Sequence, residues 1–298
     1  MSARVERTGR AGRVEGLSLL LFTVIAWGLN WPAVKLVIEH LPPFSMRTAS
    51  AAAGGVAVMA VAALRGERLM PPPGQWPRLM LAALLNYTSW LGFVSLSLVW
   101  LPASTAVIIT YTMPVWAMCF AWPLLGERPR PMHVAGLALG IGGVAAVLGG
   151  GATVIPPGGL PGVATALAAS VMFALGSVVT KRAPLTLPPF AAVGWQILLG
   201  VAPIAVLALL FEHPDFAALG TLEWLALAYT AFVALVLAYL CWFHALKLLP
   251  ASVATSATLL VPVVGVFSSG LLLGERIGLA QLLALALTIG GVALAARG

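Results

Sequence analysis

The sequence predicts an all-α membrane protein, with ten transmembrane helices forming two five-helix repeats of inverted topology around a central cavity. Three observations lead there. Of 298 residues, 61% are hydrophobic and 8% charged, with a mean hydropathy of +1.02, unlike a water-soluble domain. Apolar stretches of about 20 residues, each enough to cross roughly 30 Å of hydrocarbon as a helix, recur along the whole chain. Short words also recur, at a nearly constant offset.

The first span, 16–38, follows an arginine-bearing segment, 1–15. That arrangement imitates a secretion signal, but the run is long, lacks a small-residue cleavage pattern and precedes nine others, so it reads as an uncleaved helix. Pro42 and Pro43 separate it from the second span, 43–65, and Pro71 to Pro73 precede the third, 76–99. Pro102 opens the fourth, 102–125, and Pro131 the fifth, 131–150. Pro161 opens the sixth, 161–182, and Pro188 and Pro189 the seventh, 187–210. The eighth covers 222–248, Pro250 opens the ninth, 250–273, and the tenth covers 277–296. Proline suits these joints because it lacks the N–H an interior helical residue must donate, yet fits the first turn.

Basic residues orient the chain. Net charge is +7 and the isoelectric point about 10.1, but lysine and arginine sit in short loops rather than on one basic face, which disfavours nucleic acid as a partner. With the N-terminus in the cytoplasm, Arg4, Arg7, Arg10, Arg13, Arg65, Arg68, Arg78, Arg128, Arg130, Lys181, Arg182, Lys247 and Arg297 lie inside. Lys35, Arg47 and Arg276 lie outside. Both termini are therefore expected in the cytoplasm.

The repeated words define the halves. LPAS at 101–104 returns at 249–252, LLGER at 124–128 returns at 272–276, and IGGVA at 141–145 returns at 289–293, all offset by 148; LPPF at 41–44 returns at 187–190, offset by 146. The chain thus divides into a cytoplasmic segment 1–15, a first repeat 16–150 and a second repeat 161–296. Five spans is an odd number, so each element of the second repeat crosses in the opposite sense to its mate. Inverted halves are the architecture of secondary transporters, with a site near mid-depth between them.

Polar side chains at mid-depth face protein or water, because unpaired polar groups are costly in hydrocarbon. The third span carries Asn86, Tyr87, Thr88, Ser89 and Trp90 at its centre, with Asn86 and Trp90 on one face. They either line a cavity or bond to neighbouring helices. In the first span Trp27, Asn30 and Trp31 surround Pro32, which frees the carbonyl of Gly28; a cavity role and a plain kink both fit. The fourth and ninth spans share a stripe, Ala106, Thr110 and Pro114 against Ala254, Thr258 and Pro262, and each proline frees the carbonyl of the threonine before it. A substrate ammonium could use those acceptors, or each threonine hydroxyl bonds back within its own helix and the kink serves packing. Tyr111, Tyr239 and Trp242 are candidate aromatic walls, and Phe173, Ser177 and Gln196 further candidates. Trp76, Trp100, Trp122 and Trp224, near span ends, read as interfacial anchors.

Absences narrow the function. All nine acidic residues fall at or beyond span ends, which disfavours a cation pump, although rings can still admit some organic cations. His40, His133, His213 and His244 lie near span ends, so no proton relay crosses the core. Cys119 and Cys241 lie in apolar runs and read as packing residues; neither a metal nor another cofactor is expected. HExxH, GxSxG and GxxxxGK are absent, which argues against an enzyme. Rings, amides, hydroxyls and bare carbonyls suit a neutral or zwitterionic solute with an apolar side chain, such as an amino acid; a passive facilitator or channel is the alternative. Lys35, Glu39 and Arg47, near the outer helix ends, either attract a carboxylate at the mouth or snorkel to headgroups. Gly136 and Gly140 form a small-xxx-small pair for packing within one chain or for a weak homodimer.

WGLNWPAVK in the first span, LPPF followed by Arg47, and the pairs Gly126–Glu127 and Gly274–Glu275 resemble the drug/metabolite transporter superfamily in its ten-helix, EamA-type exporter branch. The resemblance covers residues 16–296 and implies export of small metabolites across a bacterial inner membrane. Within that branch the chain is similar to the aromatic amino acid exporters. With the polar mid-spans, this implies a cavity lined by helices 1, 3, 4, 6, 8 and 9. The second half departs from the first-helix pattern, reading FALGSVVTK.

Overall fold

A computed structural model describes residues 2–127, 131–151 and 154–295. Arg128, Arg130 and Arg297, used above for orientation, lie outside the described residues. Ten helices, and no strand, occur among the described residues. We number them α1 (Ser2–Ile38), α2 (Pro43–Leu64), α3 (Trp76–Trp100), α4 (Ala103–Leu125), α5 (Pro131–Leu148), α6 (Leu160–Arg182), α7 (Pro189–Phe211), α8 (Thr221–Leu248), α9 (251–273) and α10 (Leu279–Ala295). The first eight contain stretches long and apolar enough to span a membrane; the apolar parts of α9 and α10 are shorter. Leu209 and Leu271 are 85% and 84% exposed, as lipid-facing leucines should be.

Helix packing follows a two-fold relation between the repeats. The contacts α1–α8 and α1–α9 recur as α6–α3 and α6–α4, α2–α8 recurs as α7–α3, and α2–α7 and α5–α10 pair mates directly. The repeats are therefore interleaved rather than side by side. Between α5 and α10 the backbones nearly touch, since a methyl on Gly291 would lie 2.7 Å from the Gly136 carbonyl oxygen. Gly136 and Gly140 thus serve packing within the chain.

The recurring words fold into helix-end clasps. Helices α2, α4 and α7 each begin just after Pro42, Pro102 or Pro188, leaving first-turn N–H groups without intrahelical acceptors. Glu212, following α7, accepts from the amides of Phe44 (3.0 Å) and Ser45 (2.6 Å) at the start of α2. Glu67, following α2, accepts from the amide of Ala191 (3.0 Å) in α7. The two helices therefore cap each other, one at each end. In the LLGER word the glycine takes the left-handed conformation that ends the helix, φ 74° at Gly126 and 68° at Gly274. The glutamate after Gly274 then reaches the LPAS word: Glu275 accepts from the amides of Ala103 (2.6 Å) and Ser104 (2.9 Å). A carboxylate at a helix N-terminus is also favoured by the helix dipole.

Candidate functional site

Between the repeats lies a cavity of about 170 Å³, running from mid-depth toward the face where α1 ends and α2 begins. It is smaller than the roughly 300–1,000 Å³ of drug-sized sites and suits a small metabolite. Trp31 (α1), Trp90 (α3), Tyr111 (α4) and Phe173 (α6) form one ring cluster, with centroids 6.4 Å apart for Trp31–Trp90, 6.5 Å for Trp90–Tyr111 and 5.0 Å for Trp90–Phe173. Trp27 (α1) and Tyr239 (α8) form a second, 5.6 Å apart, and the Tyr239 hydroxyl meets that of Tyr87 (α3) at 2.9 Å.

Both long walls are locally unwound. Residues Ala83–Thr88 of α3 and Tyr229–Leu237 of α8 are π-helical, and the 148-residue offset maps the first segment inside the second. A π-segment inserts extra residues and loosens the carbonyl ladder, so backbone acceptors become available to side chains. In α8 the Ala234 carbonyl accepts from the Trp27 indole at 3.1 Å, while the Tyr229 hydroxyl donates to the Ala26 carbonyl of α1 at 2.9 Å. No proline marks either segment, so nothing in the sequence announced them.

The EamA-like transporter family matches residues 14–149 and again residues 160–297. The chain belongs to this family. A transporter from Bacillus subtilis (strain 168), described as uncharacterized and named YvbV, is 31% identical over 93% of this chain and 90% of its own length. The aromatic amino acid exporter YddG of Ancylobacter novellus is 28% identical over 77% of this chain and 79% of its own. A solved crystal structure, 26% identical, superposes with a TM-score of 0.66 over 93% of this chain and 96% of that one.

In this EamA-like transporter the residues nominated from sequence separate into groups. Trp27, Asn30, Trp31, Asn86, Tyr87, Trp90, Tyr111, Phe173 and Tyr239 line the central cavity. Thr258, Pro114 and Pro262 line an adjacent cavity of about 270 Å³, which shares Tyr111 and Met113 with the first. Helix α9 therefore borders the neighbouring space, and α2 takes the place expected for it in the central one. Thr110 lines neither; it is wholly buried and its hydroxyl bonds back to the Ala106 carbonyl at 2.6 Å. Ser177 is exposed and bonds back to Phe173, Trp242 stands behind Trp27 at 5.5 Å, and Pro32 sits inside an α1 that continues through it. Pro114 and Pro262 each occupy the first turn of a new helical segment, after a turn at 111–112 in α4 and after Thr258–Leu260 in α9. Their missing N–H groups cost little there.

The site also carries a charge, from a residue expected at the outer helix ends. Arg47 is 3% exposed, lines the central cavity and donates from Nε to the Ser95 hydroxyl at 2.6 Å. The sequence placed it at the mouth because it lies one turn inside α2, but interleaving turns that turn inward. Lys35, in the last turn of α1, donates to the carbonyl of the buried Leu98 near the end of α3 at 2.7 Å. Asn30 Oδ1, Asn86 Oδ1 and Thr230 Oγ1, all in cavity residues, are buried without a hydrogen-bond partner.

Proposed function

We propose that this EamA-like transporter exports small neutral or zwitterionic metabolites, with amino acids, aromatic ones included, as its main substrates, by alternating access. The observation that carries this reading is a small cavity between the repeats, walled by rings and bordered by unpaired amide and hydroxyl oxygens. Rings bind an apolar side chain; the oxygens accept from an ammonium group. Relatives described as an aromatic amino acid exporter and as a probable amino-acid metabolite efflux pump of Salmonella typhimurium support the same substrate class. The moving bodies are taken as packed neighbours, α1 with α8 and α9 against α6 with α3 and α4, rather than as residues 16–150 against 161–296.

The setting is a bacterial inner membrane with both termini in the cytoplasm, supported by the lysine and arginine bias of the loops. Cysteines introduced singly at 182 and 276 should label from opposite sides, 276 from outside; labelling of both from one side rejects the inverted placement. Reconstituted protein should show counterflow of labelled L-phenylalanine, with internal unlabelled solute accelerating entry. Flux that neither saturates nor shows counterflow would mean a passive channel.

A further inference from the structure

We infer that Arg47 is the carboxylate subsite of the central cavity, so that the substrate class narrows to carboxylates carrying an apolar or aromatic group. The inference rests on the reading of this cavity as the transport site. It starts from an electrostatic imbalance. A guanidinium inside a membrane protein is costly unless a counter-charge or water meets it. No carboxylate forms an ion pair with Arg47 among the described residues. Glu212, which reaches the first turn of the same helix from the end of α7, is occupied with the amides of Phe44 and Ser45 and the Ser45 hydroxyl.

Of the five N–H donors of Arg47, one is used on Ser95, and the described residues give the two terminal nitrogens no acceptor. That single bond fixes the plane of the group. A fixed guanidinium with both terminal nitrogens free presents the fork that binds a carboxylate through two parallel bonds. Asn30 and Thr230 line the same cavity, and their side-chain oxygens are buried without a partner, the kind of acceptor the ammonium of a zwitterion needs. Among the described residues Arg47 is the sole charged side chain lining the cavity, so one negative charge is balanced and a phosphate dianion is not.

The test uses purified full-length protein and intrinsic tryptophan fluorescence, which reports on Trp31 and Trp90 beside the site. L-Phenylalanine and 3-phenylpropionate should both bind; L-phenylalaninamide and phenethylamine, which keep the ring and lack the carboxylate, should bind at least about 30-fold more weakly. Arg47→Gln should abolish that gap, and Arg47→Lys should restore part of it. Equal binding of the acid and its amide to the unmodified protein overturns the assignment without any variant, as does a gap that survives in folded Arg47→Gln or the binding of none of the four. Phenyl phosphate binding better than 3-phenylpropionate would replace a carboxylate site by a phosphate site. Should these ligands bind as expected while no labelled amino acid is transported, the anchor stands and the export reading fails.

Discussion

The hydroxyls of Tyr87 and Tyr239 meet at 2.9 Å, joining helices that are mates in the two repeats across the wall of the central cavity. A hydrogen bond of this kind contributes about 0.5–1.5 kcal/mol net. Removing either hydroxyl should therefore change the KM for labelled L-phenylalanine by up to about tenfold. Tyr87→Phe, Tyr239→Phe and the double variant should be strongly non-additive in proteoliposome uptake, the double no worse than either single. Simple additivity would show that the bond carries no coupling between the helices.

Trp90 touches Trp31, Tyr111 and Phe173, so it joins rings from four helices. Replacing it by alanine removes these contacts, each worth about 0.5–1.5 kcal/mol beyond area burial. Trp90→Ala should lower kcat/KM for phenylalanine at least about tenfold while the protein inserts normally, with Trp90→Phe intermediate and Tyr111→Ala also impaired. Unchanged uptake in both alanine variants would remove these rings from the site.

Glu275 caps α4 with two amide bonds from across the repeat boundary. Losing a helix cap costs about 0.5–2 kcal/mol. Glu275→Ala should lower the apparent Tm in detergent, and Glu275→Gln, which keeps one acceptor, should lose less. An unchanged Tm in both would show that water replaces the carboxylate at no cost.

Gly291 faces backbone, not a flexible side chain, so a methyl there has no neighbour that can yield. Gly291→Ala should destabilise by about 1–3 kcal/mol through overpacking of α5 against α10. The expected signature is a lower Tm with the KM for phenylalanine unaltered.

Much of the fold was legible because it is written in one-dimensional signals. Apolar run length gives spans, proline gives joints, and words such as LLGER and LPAS give the repeat. The candidate rings were legible too, since Trp27, Trp31, Trp90 and Tyr239 stand at mid-depth in otherwise apolar helices. Thr110 misled for a local reason: its hydroxyl satisfies a carbonyl of its own helix, which a spacing pattern cannot distinguish from an outward-facing group.

By itself the sequence determined ten spans, their pairing as inverted mates and the prolines and glycines that end each helix, because membrane insertion and the backbone limits of proline and glycine act through neighbours along the chain. Only the tertiary structure decided that LLGE clasps LPAS, that α3 and α8 unwind at matching positions, and that Arg47 faces the cavity instead of the headgroups. Those outcomes depend on which helix packs beside which, and interleaving brings together groups more than a hundred residues apart.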